Sequence, residues 1–104
     1  MPSIRTQKTS ISSEVKHIVH ERDGGCCLLC GRPQPLTNAN AHIIPRSSGG
    51  LGREENIITL CQECHYHYDF GNERKMLYDF FVEYQKKTYP NWTREDMIFK
   101  KGQK

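Results

Sequence analysis

The sequence has little apolar material and no long hydrophobic run. Only 36% of its 104 residues are hydrophobic, and the mean hydropathy is −0.76. A membrane helix needs about 20 consecutive apolar residues, and a secretory signal needs an apolar stretch behind a basic start. Neither pattern occurs in the sequence. We therefore expect a cytoplasmic protein that does not contact membranes.

The chain also lacks the material for a large core. A domain of this length buries only about two-thirds of the surface that its unfolded chain exposes, so disulfides or a metal are expected to add stability. The sequence contains five cysteines. In a reducing compartment, closely paired cysteines indicate thiolate metal ligands rather than disulfides.

A strong net charge is missing, since 15 basic and 12 acidic residues give only +3. The charge is nevertheless uneven. Arg5 and Lys8 precede the first acidic residue, and the chain closes on Lys100, Lys101 and Lys104. Basic ends suit an anionic partner such as nucleic acid, although two solvated tails would look the same.

Four of the cysteines form two CxxC pairs, Cys27 with Cys30 and Cys61 with Cys64. Two such pairs predict one structural Zn²⁺ bound by four thiolates. In a chain this small, zinc would supply much of the folding free energy, on the order of 10 kcal/mol. Cys26 is then the spare thiol, and we expect it to act as a small buried hydrophobe.

The pattern of helix, strand and turn signals predicts a single domain, residues 1–104. Two β-prone runs, "NAHIIP" and "NIITLC", enclose a Ser/Gly-rich loop and lead into a helix at "HYHYD", which together make a ββα unit. In the long helix that follows, one face is predicted to be core, formed by Leu77, Phe80, Phe81, Tyr84 and Thr88. The predicted parts are a flexible basic arm (1–10), a helix (12–23), the zinc knuckles with the ββα core (24–70), and a C-terminal helical extension with a basic tail (72–104).

The stretches "AHIIPRSSGG" and "ENIITLCQECH" resemble the HNH endonucleases, whose motif residues would be His42, Asn56 and His65. The resemblance covers roughly residues 20 to 70, and the whole is similar to small stand-alone phage HNH proteins. It implies an α+β fold, a ββα-metal (His-Me finger) domain with a structural Cys₄ zinc and additional N- and C-terminal helices. It also implies a metal-dependent endonuclease that nicks or cleaves DNA in a bacterial or phage-infected cell.

In this family the position of His42 is that of the general base, which activates water. Asn56 either braces the loop or binds metal, and bracing is favoured. His65 and Asp69 lie four residues apart, so on a helix they share a face and can chelate one catalytic divalent cation, Mg²⁺, Mn²⁺, Ni²⁺ or Zn²⁺.

The loop between the two β-prone runs carries two arginines and three glycines. Arg46 and Arg53 are predicted to contact DNA phosphates, because guanidinium matches phosphate oxygens; ordinary solvated arginines would have the same pattern. Gly49, Gly50 and Gly52 would let the backbone approach DNA closely, or only make the turn.

One position departs from the family pattern. Many members have a metal ligand immediately before the base, and this chain has Ala41. Three alternatives remain open: His65 and Asp69 hold the metal, with or without Asn56, and water and phosphate complete its shell; His42 is itself a ligand and the base lies elsewhere; or the protein is inactive. The competing function is a non-catalytic, zinc-stabilised module that binds nucleic acid or serves phage assembly. Predicted partners besides DNA are a second copy or a packaging protein such as terminase.

Overall fold

The computed structural model describes residues 3–100, and Lys101 and Lys104 of the predicted basic tail lie outside them. The described chain is α+β, as predicted. Short 3₁₀ turns at Leu36–Asn38, Arg46–Ser48, Glu54–Asn56 and Glu95–Met97 connect its main elements. These elements are α1 (Ile4–Thr9), α2 (Ser13–Arg22), β1 (Ala41–His42), β2 (Ile57–Ile58), α3 (Gln62–Phe70) and α4 (Arg74–Thr88).

The helix predicted over 12–23 is observed as α2. Ser12 is its N-cap, and its hydroxyl accepts a hydrogen bond from the Val15 amide at 3.1 Å, which satisfies one of the free amides of the first turn. The helix ends at Arg22, and Gly24 and Gly25 follow with φ of 69° each. That backbone conformation is open to glycine at no steric cost.

The prediction of a flexible arm over residues 1–10 is wrong for Ile4–Thr9, because this segment forms the helix α1. Ser3 caps the helix through Thr6, and Thr9 is only 3% exposed. The Gly52 amide donates to the Lys8 carbonyl at 3.0 Å. The segment has no apolar face, and polar and backbone contacts with a distant loop hold it, so its hydropathy gave no sign of order.

The ββα unit is present, but each strand is shorter than its β-prone run. β1 and β2 are antiparallel, with Ala41 opposite Ile58 and His42 opposite Ile57. Beyond this pair the Ile43 amide still reaches the Asn56 carbonyl at 2.8 Å. The Ile44 amide then donates to the Asn56 side chain instead of to a neighbouring strand, so a side chain replaces the hydrogen-bond ladder of the sheet.

The main core lies between this unit and α4. Its buried residues include Ala41, Ile43, Ile44, Ile58, Leu60, Tyr68, Phe81, Val82, Trp92 and Met97. The predicted core face of α4 is partly wrong, because Phe80 is 49% exposed and Thr88 is also exposed. Gln85 is buried instead, and its amide donates to the carbonyls of Glu54 (3.2 Å) and Glu55 (2.9 Å). This polar contact sets the rotation of the helix, and an apolar pattern cannot reveal it.

A buried ion pair joins α2 to the rest of the fold. Arg22 Nε contacts Asp23 Oδ1 at 2.8 Å, and the same carboxylate accepts from the Thr59 amide and the Tyr84 hydroxyl, both at 2.8 Å. Arg22 Nη2 donates to the Ile57 carbonyl at 2.8 Å. The pair thus ties α2 to β2 and α4. Among the described residues no helix combines the length and apolarity needed to cross a membrane.

Candidate active site and metal centre

The two CxxC pairs meet in one cluster. The sulfur atoms of Cys27, Cys30, Cys61 and Cys64 all lie within 4.8 Å of one another, and Cys30 Sγ is 3.7 Å from Cys61 Sγ. Ligands about 2.3 Å from a tetrahedral Zn²⁺ lie about 3.8 Å apart, so the spacing fits. The predicted Cys₄ group is confirmed and is consistent with zinc binding.

Both pairs have the same local turn, in which the second amide approaches the first sulfur. The distance is 3.5 Å from the Cys30 amide to Cys27 Sγ and 3.4 Å from the Cys64 amide to Cys61 Sγ. Arg32 donates to Cys30 and lowers the pKa of that thiol to about 6, whereas burial raises the pKa of the Cys64 thiol. Four clustered thiolates repel one another, so this donor set suits a bound cation.

A cleft of about 560 Å³ lies beside β1 and α3. Its wall contains the base and both metal donors predicted from the sequence, together with four further polar residues. The polar lining consists of Ser10, Lys16, Asn40, His42, Arg46, His65 and Asp69. Three elements that are distant in sequence, α2, the β1 segment and α3, therefore contribute to one site.

His42 is held in a defined orientation at this cleft. Its Nε2 lies 2.8 Å from the Thr9 carbonyl oxygen. A carbonyl can only accept, so Nε2 carries the proton and Nδ1 of the neutral ring holds the lone pair. Burial, with a smaller effect of Arg46, lowers the pKa of His42. The ring is therefore neutral near pH 7, the state that a general base requires.

His65 and Asp69 lie on one face of α3, as predicted. His65 Nε2 is 3.3 Å from Asp69 Oδ2, and both side chains are about one-third exposed. Two adjacent ligands of an octahedral ion at about 2.1 Å lie about 3 Å apart. Arg74 Nη1 lies 3.5 Å from Asp69 Oδ1 and orients that carboxylate. The pair fits a shared divalent cation.

Asn56 is fully buried and faces the backbone of the loop between β1 and β2. Its Oδ1 accepts from the Ile44 amide at 3.0 Å. Its Nδ2 donates to the carbonyls of Ile44 (3.2 Å) and Leu51 (2.9 Å). Every polar atom of the side chain is therefore engaged, and Asn56 does not line the cleft. This arrangement corresponds to the bracing alternative, since the side-chain oxygen is turned to the Ile44 amide and away from the cleft.

The two predicted phosphate contacts do not lie together. Arg46 lines the cleft. Arg53 instead pairs with Glu55 at 2.8 Å, donates to the Asp96 carbonyl at 3.3 Å, and lines a separate cavity that includes Trp92. The acidic neighbour at position 55 captures this guanidinium, so the structure does not bring Arg53 to the site.

Several contributors to the site, among them Ser10 in the cleft wall, were not predicted from the sequence. Asn40 lies two residues before His42, and the two-residue period of a strand would have placed it on the same side. Lys16 lies on α2, whose position relative to the ββα unit is a tertiary feature. The Thr9 carbonyl is a backbone group, so no residue type could have indicated it.

Comparisons with known proteins identify sequences similar to this chain. The model of the HNH endonuclease family matches residues 27–69. The chain is 32% identical over 81 residues to the type IV methyl-directed restriction enzyme EcoKMcrA of Escherichia coli (strain K12), covering 70% of this chain and 29% of that enzyme. It is 38% identical over 45 residues to Anaredoxin of Nostoc sp., covering 43% of this chain and 58% of Anaredoxin. The chain thus spans less than two-thirds of either relative. No solved structure matches it. The predicted resemblance to HNH endonucleases is confirmed over residues 27–69.

Proposed function

We propose that this chain, with its HNH segment over residues 27–69, is a metal-dependent endonuclease that hydrolyses DNA phosphodiester bonds. The observation that carries the proposal is the cleft in which a neutral, oriented histidine, His42, faces the same space as the His65 and Asp69 pair. A zinc cluster alone does not require such a set. The similarity to a restriction enzyme supports the same chemistry.

In this proposal His42 is the general base. Its Nδ1 has no hydrogen-bond partner within residues 3–100 and can accept a proton from water positioned against the scissile phosphate. As the ring gains charge, the bond from Nε2 to the Thr9 carbonyl becomes charge-assisted and strengthens. The carbonyl therefore favours the protonated product of this step more than the neutral ring that precedes it.

His65 and Asp69 are the residues that would hold the catalytic divalent cation, Mg²⁺, Mn²⁺, Ni²⁺ or Zn²⁺. When bound, such a cation supplies Lewis-acid stabilisation of the departing oxygen. The contact with Arg74 orients the Asp69 carboxylate. Asn56 supports the site indirectly, because its amide fixes the loop from which Arg46 projects.

Arg46 and Lys16 are the proposed DNA phosphate contacts, since both line the cleft that holds the base. Arg46 Nε and Nη2 lie 3.4 Å from the hydroxyls of Thr9 and Ser10. These are weak contacts between neutral and charged groups, and phosphate oxygens would replace or supplement them with stronger ones. Arg53, which is paired with Glu55, is not proposed as a contact.

The decisive experiment is plasmid cleavage with Mg²⁺, Mn²⁺ or Ni²⁺ by the unaltered chain and by His42→Ala. His17→Ala is the matched control, because His17 is exposed on α2 and does not line the cleft. We expect His42→Ala to lose cleavage and His17→Ala to retain it. We also expect His65→Ala to lower cleavage and divalent-ion affinity while bound zinc stays near one equivalent. Equal cleavage by His42→Ala, or none with any metal, would overturn the proposal.

The second candidate is a zinc-stabilised nucleic-acid-binding or phage assembly module without catalysis. The observation in its favour is Ala41, which is buried in the core and offers no ligand. DNA binding without cleavage under every metal would support it. A second copy and a packaging protein such as terminase stay predicted partners, and sedimentation of the chain with and without DNA tests the first.

A further inference from the structure

We infer that α1 is a positioning element of the catalytic site, in which the Thr9 carbonyl holds His42 in the tautomer that leaves Nδ1 free. The helix lies outside the segment 27–69 matched by the HNH family. The inference deepens the proposed function and rests on it for its catalytic meaning. The structural part, the control of the His42 tautomer by α1, can be tested without cleavage.

Polar contacts dock α1 onto the loop that follows β1. Arg5 Nη2 donates to the carbonyls of Arg46 and Ser47, at 3.1 Å each. The Gly52 amide donates to the Lys8 carbonyl at 3.0 Å. These contacts join the start and the end of α1 to one loop, so the helix is held at two points and its C-terminal carbonyls are fixed relative to that loop.

Gly52 is the position that allows this close docking. A Cβ added there would lie 1.9 Å from the Ser10 carbonyl oxygen and 2.6 Å from its carbon, far inside any permitted contact. Only a residue without a side chain lets the two backbones pass each other here. The glycine therefore serves an approach by the chain's own N-terminal segment, which replaces the approach to DNA or the simple turn considered from the sequence.

The docked helix end controls which nitrogen of His42 is the base. With Nε2 at 2.8 Å from the Thr9 carbonyl, only the form protonated at Nε2 makes the hydrogen bond. Without this acceptor, the neutral ring would populate both forms and could rotate, and the form protonated at Nδ1 cannot take a proton there. A misplaced base can lower a rate by roughly 10²-fold.

Ser10→Pro is the substitution that takes the Thr9 carbonyl away from His42 with the least other change. Ser10 has φ of −76° and ψ of 149°, which a proline ring accepts. Thr9, however, is the last residue of α1, and a residue before proline is driven out of the helical region into an extended one. This change turns the Thr9 carbonyl away from His42. It also removes the hydrogen bond from the Ser10 amide to the Thr6 carbonyl.

Two controls separate this effect from others. Ser13→Pro is the same replacement at the first residue of α2, where proline is well tolerated and where Ser12 before it is already extended, with ψ of 160°. Ser10→Ala removes the hydroxyl and leaves the backbone unchanged. The readout is the ¹⁵N spectrum of histidine-labelled, zinc-loaded protein at a pH where His42 is neutral, because the two nitrogens report the tautomer directly.

We expect one tautomer, protonated at Nε2, in the unaltered chain and in both controls, and a mixture in Ser10→Pro together with a roughly 10²-fold lower cleavage rate. A folded, zinc-loaded Ser10→Pro that keeps the single tautomer would overturn the inference, as would an equal change in Ser13→Pro. If Ser10→Pro does not fold, Gly52→Ala decides the question, because the added methyl group would push Ser10 away from the loop that carries Gly52. A tautomer change in a chain that cleaves no DNA would contradict the proposed function alone.

Discussion

Replacing Asn56 by aspartate separates bracing from metal binding at the middle residue of the HNH motif. The two side chains have nearly the same shape, but aspartate has no amide donor. The carbonyls of Ile44 and Leu51, now 3.2 and 2.9 Å from Nδ2, would face a carboxylate oxygen. If Asn56 were a metal ligand instead, a carboxylate would bind a hard divalent cation better.

The structure gives the size of the expected effect. Each buried polar group left without a partner costs about 1–3 kcal/mol, so the two carbonyls together give roughly 2–6 kcal/mol. At acid pH a protonated aspartic acid restores one donor, so the loss of stability is then nearer the lower end of this range. Since a domain of this kind has a total stability of about 5–15 kcal/mol, the loss is large relative to the whole.

Urea unfolding of the zinc-loaded protein is the assay, and Trp92 is a built-in probe. It is the only tryptophan, it is buried, and its indole Nε1 donates to the Glu55 carbonyl at 2.7 Å, next to Asn56. Asn91→Asp, the same change at an exposed site, is the matched control and should shift stability by less than about 0.5 kcal/mol. Unchanged stability of Asn56→Asp with tighter divalent-ion binding would refute the bracing role.

Three other results are expected. Burial lowers the pKa of His42, and a base acts only when it is neutral, so cleavage is lost as the pH falls through the lowered pKa. The acid limb of the cleavage rate should therefore have its midpoint below the ordinary histidine value of about 6.5. A midpoint above about 6.5 would contradict this expectation. Cys64→Ser should lose zinc and unfold at a lower urea concentration, whereas Cys26→Ser should keep one zinc by elemental analysis. The opposite pattern would show that the zinc ligands are assigned to the wrong cysteines. Arg46→Gln should reduce the slope of log binding constant against log salt concentration for DNA, measured by fluorescence anisotropy, by about 0.9. Arg53→Gln should leave this slope unchanged. Equal slopes for the two variants would argue against the cleft as the DNA site.

The features predicted correctly from the sequence are those with local causes. A CxxC pair makes its own turn, with the second amide on the first sulfur, so the spacing alone predicts a chelating pair. The four-residue spacing of His65 and Asp69 similarly places both on one helix face. The cluster contains Cys27 and Cys30 but not Cys26, which agrees with the prediction that Cys26 is the spare thiol.

The features that were missed depend on contacts between polar groups far apart in sequence. α1 is ordered because Arg5 and Lys8 meet a loop some forty residues later. The rotation of α4 follows from Gln85, which reaches the carbonyls before β2. Hydropathy patterns record only apolar burial, so a buried glutamine looks like a surface residue and a polar helix looks like a tail.

The separation between the proposed base and the proposed metal donors depends on one further contact, made by Tyr68 of α3. Its hydroxyl donates to the Ile43 carbonyl at 2.6 Å, so the helix that carries Asp69 is bonded to the residue that follows His42. Burial raises the pKa of Tyr68 to about 12, which keeps the hydroxyl protonated and able to donate. Arg74 lies 4.3 Å from the Tyr68 ring centroid and also contacts Asp69. The helix face with the proposed metal ligands and the strand with the proposed base are thus held by the same buried tyrosine, and the four-cysteine cluster at the start of α3 fixes the direction in which that helix leaves the sheet.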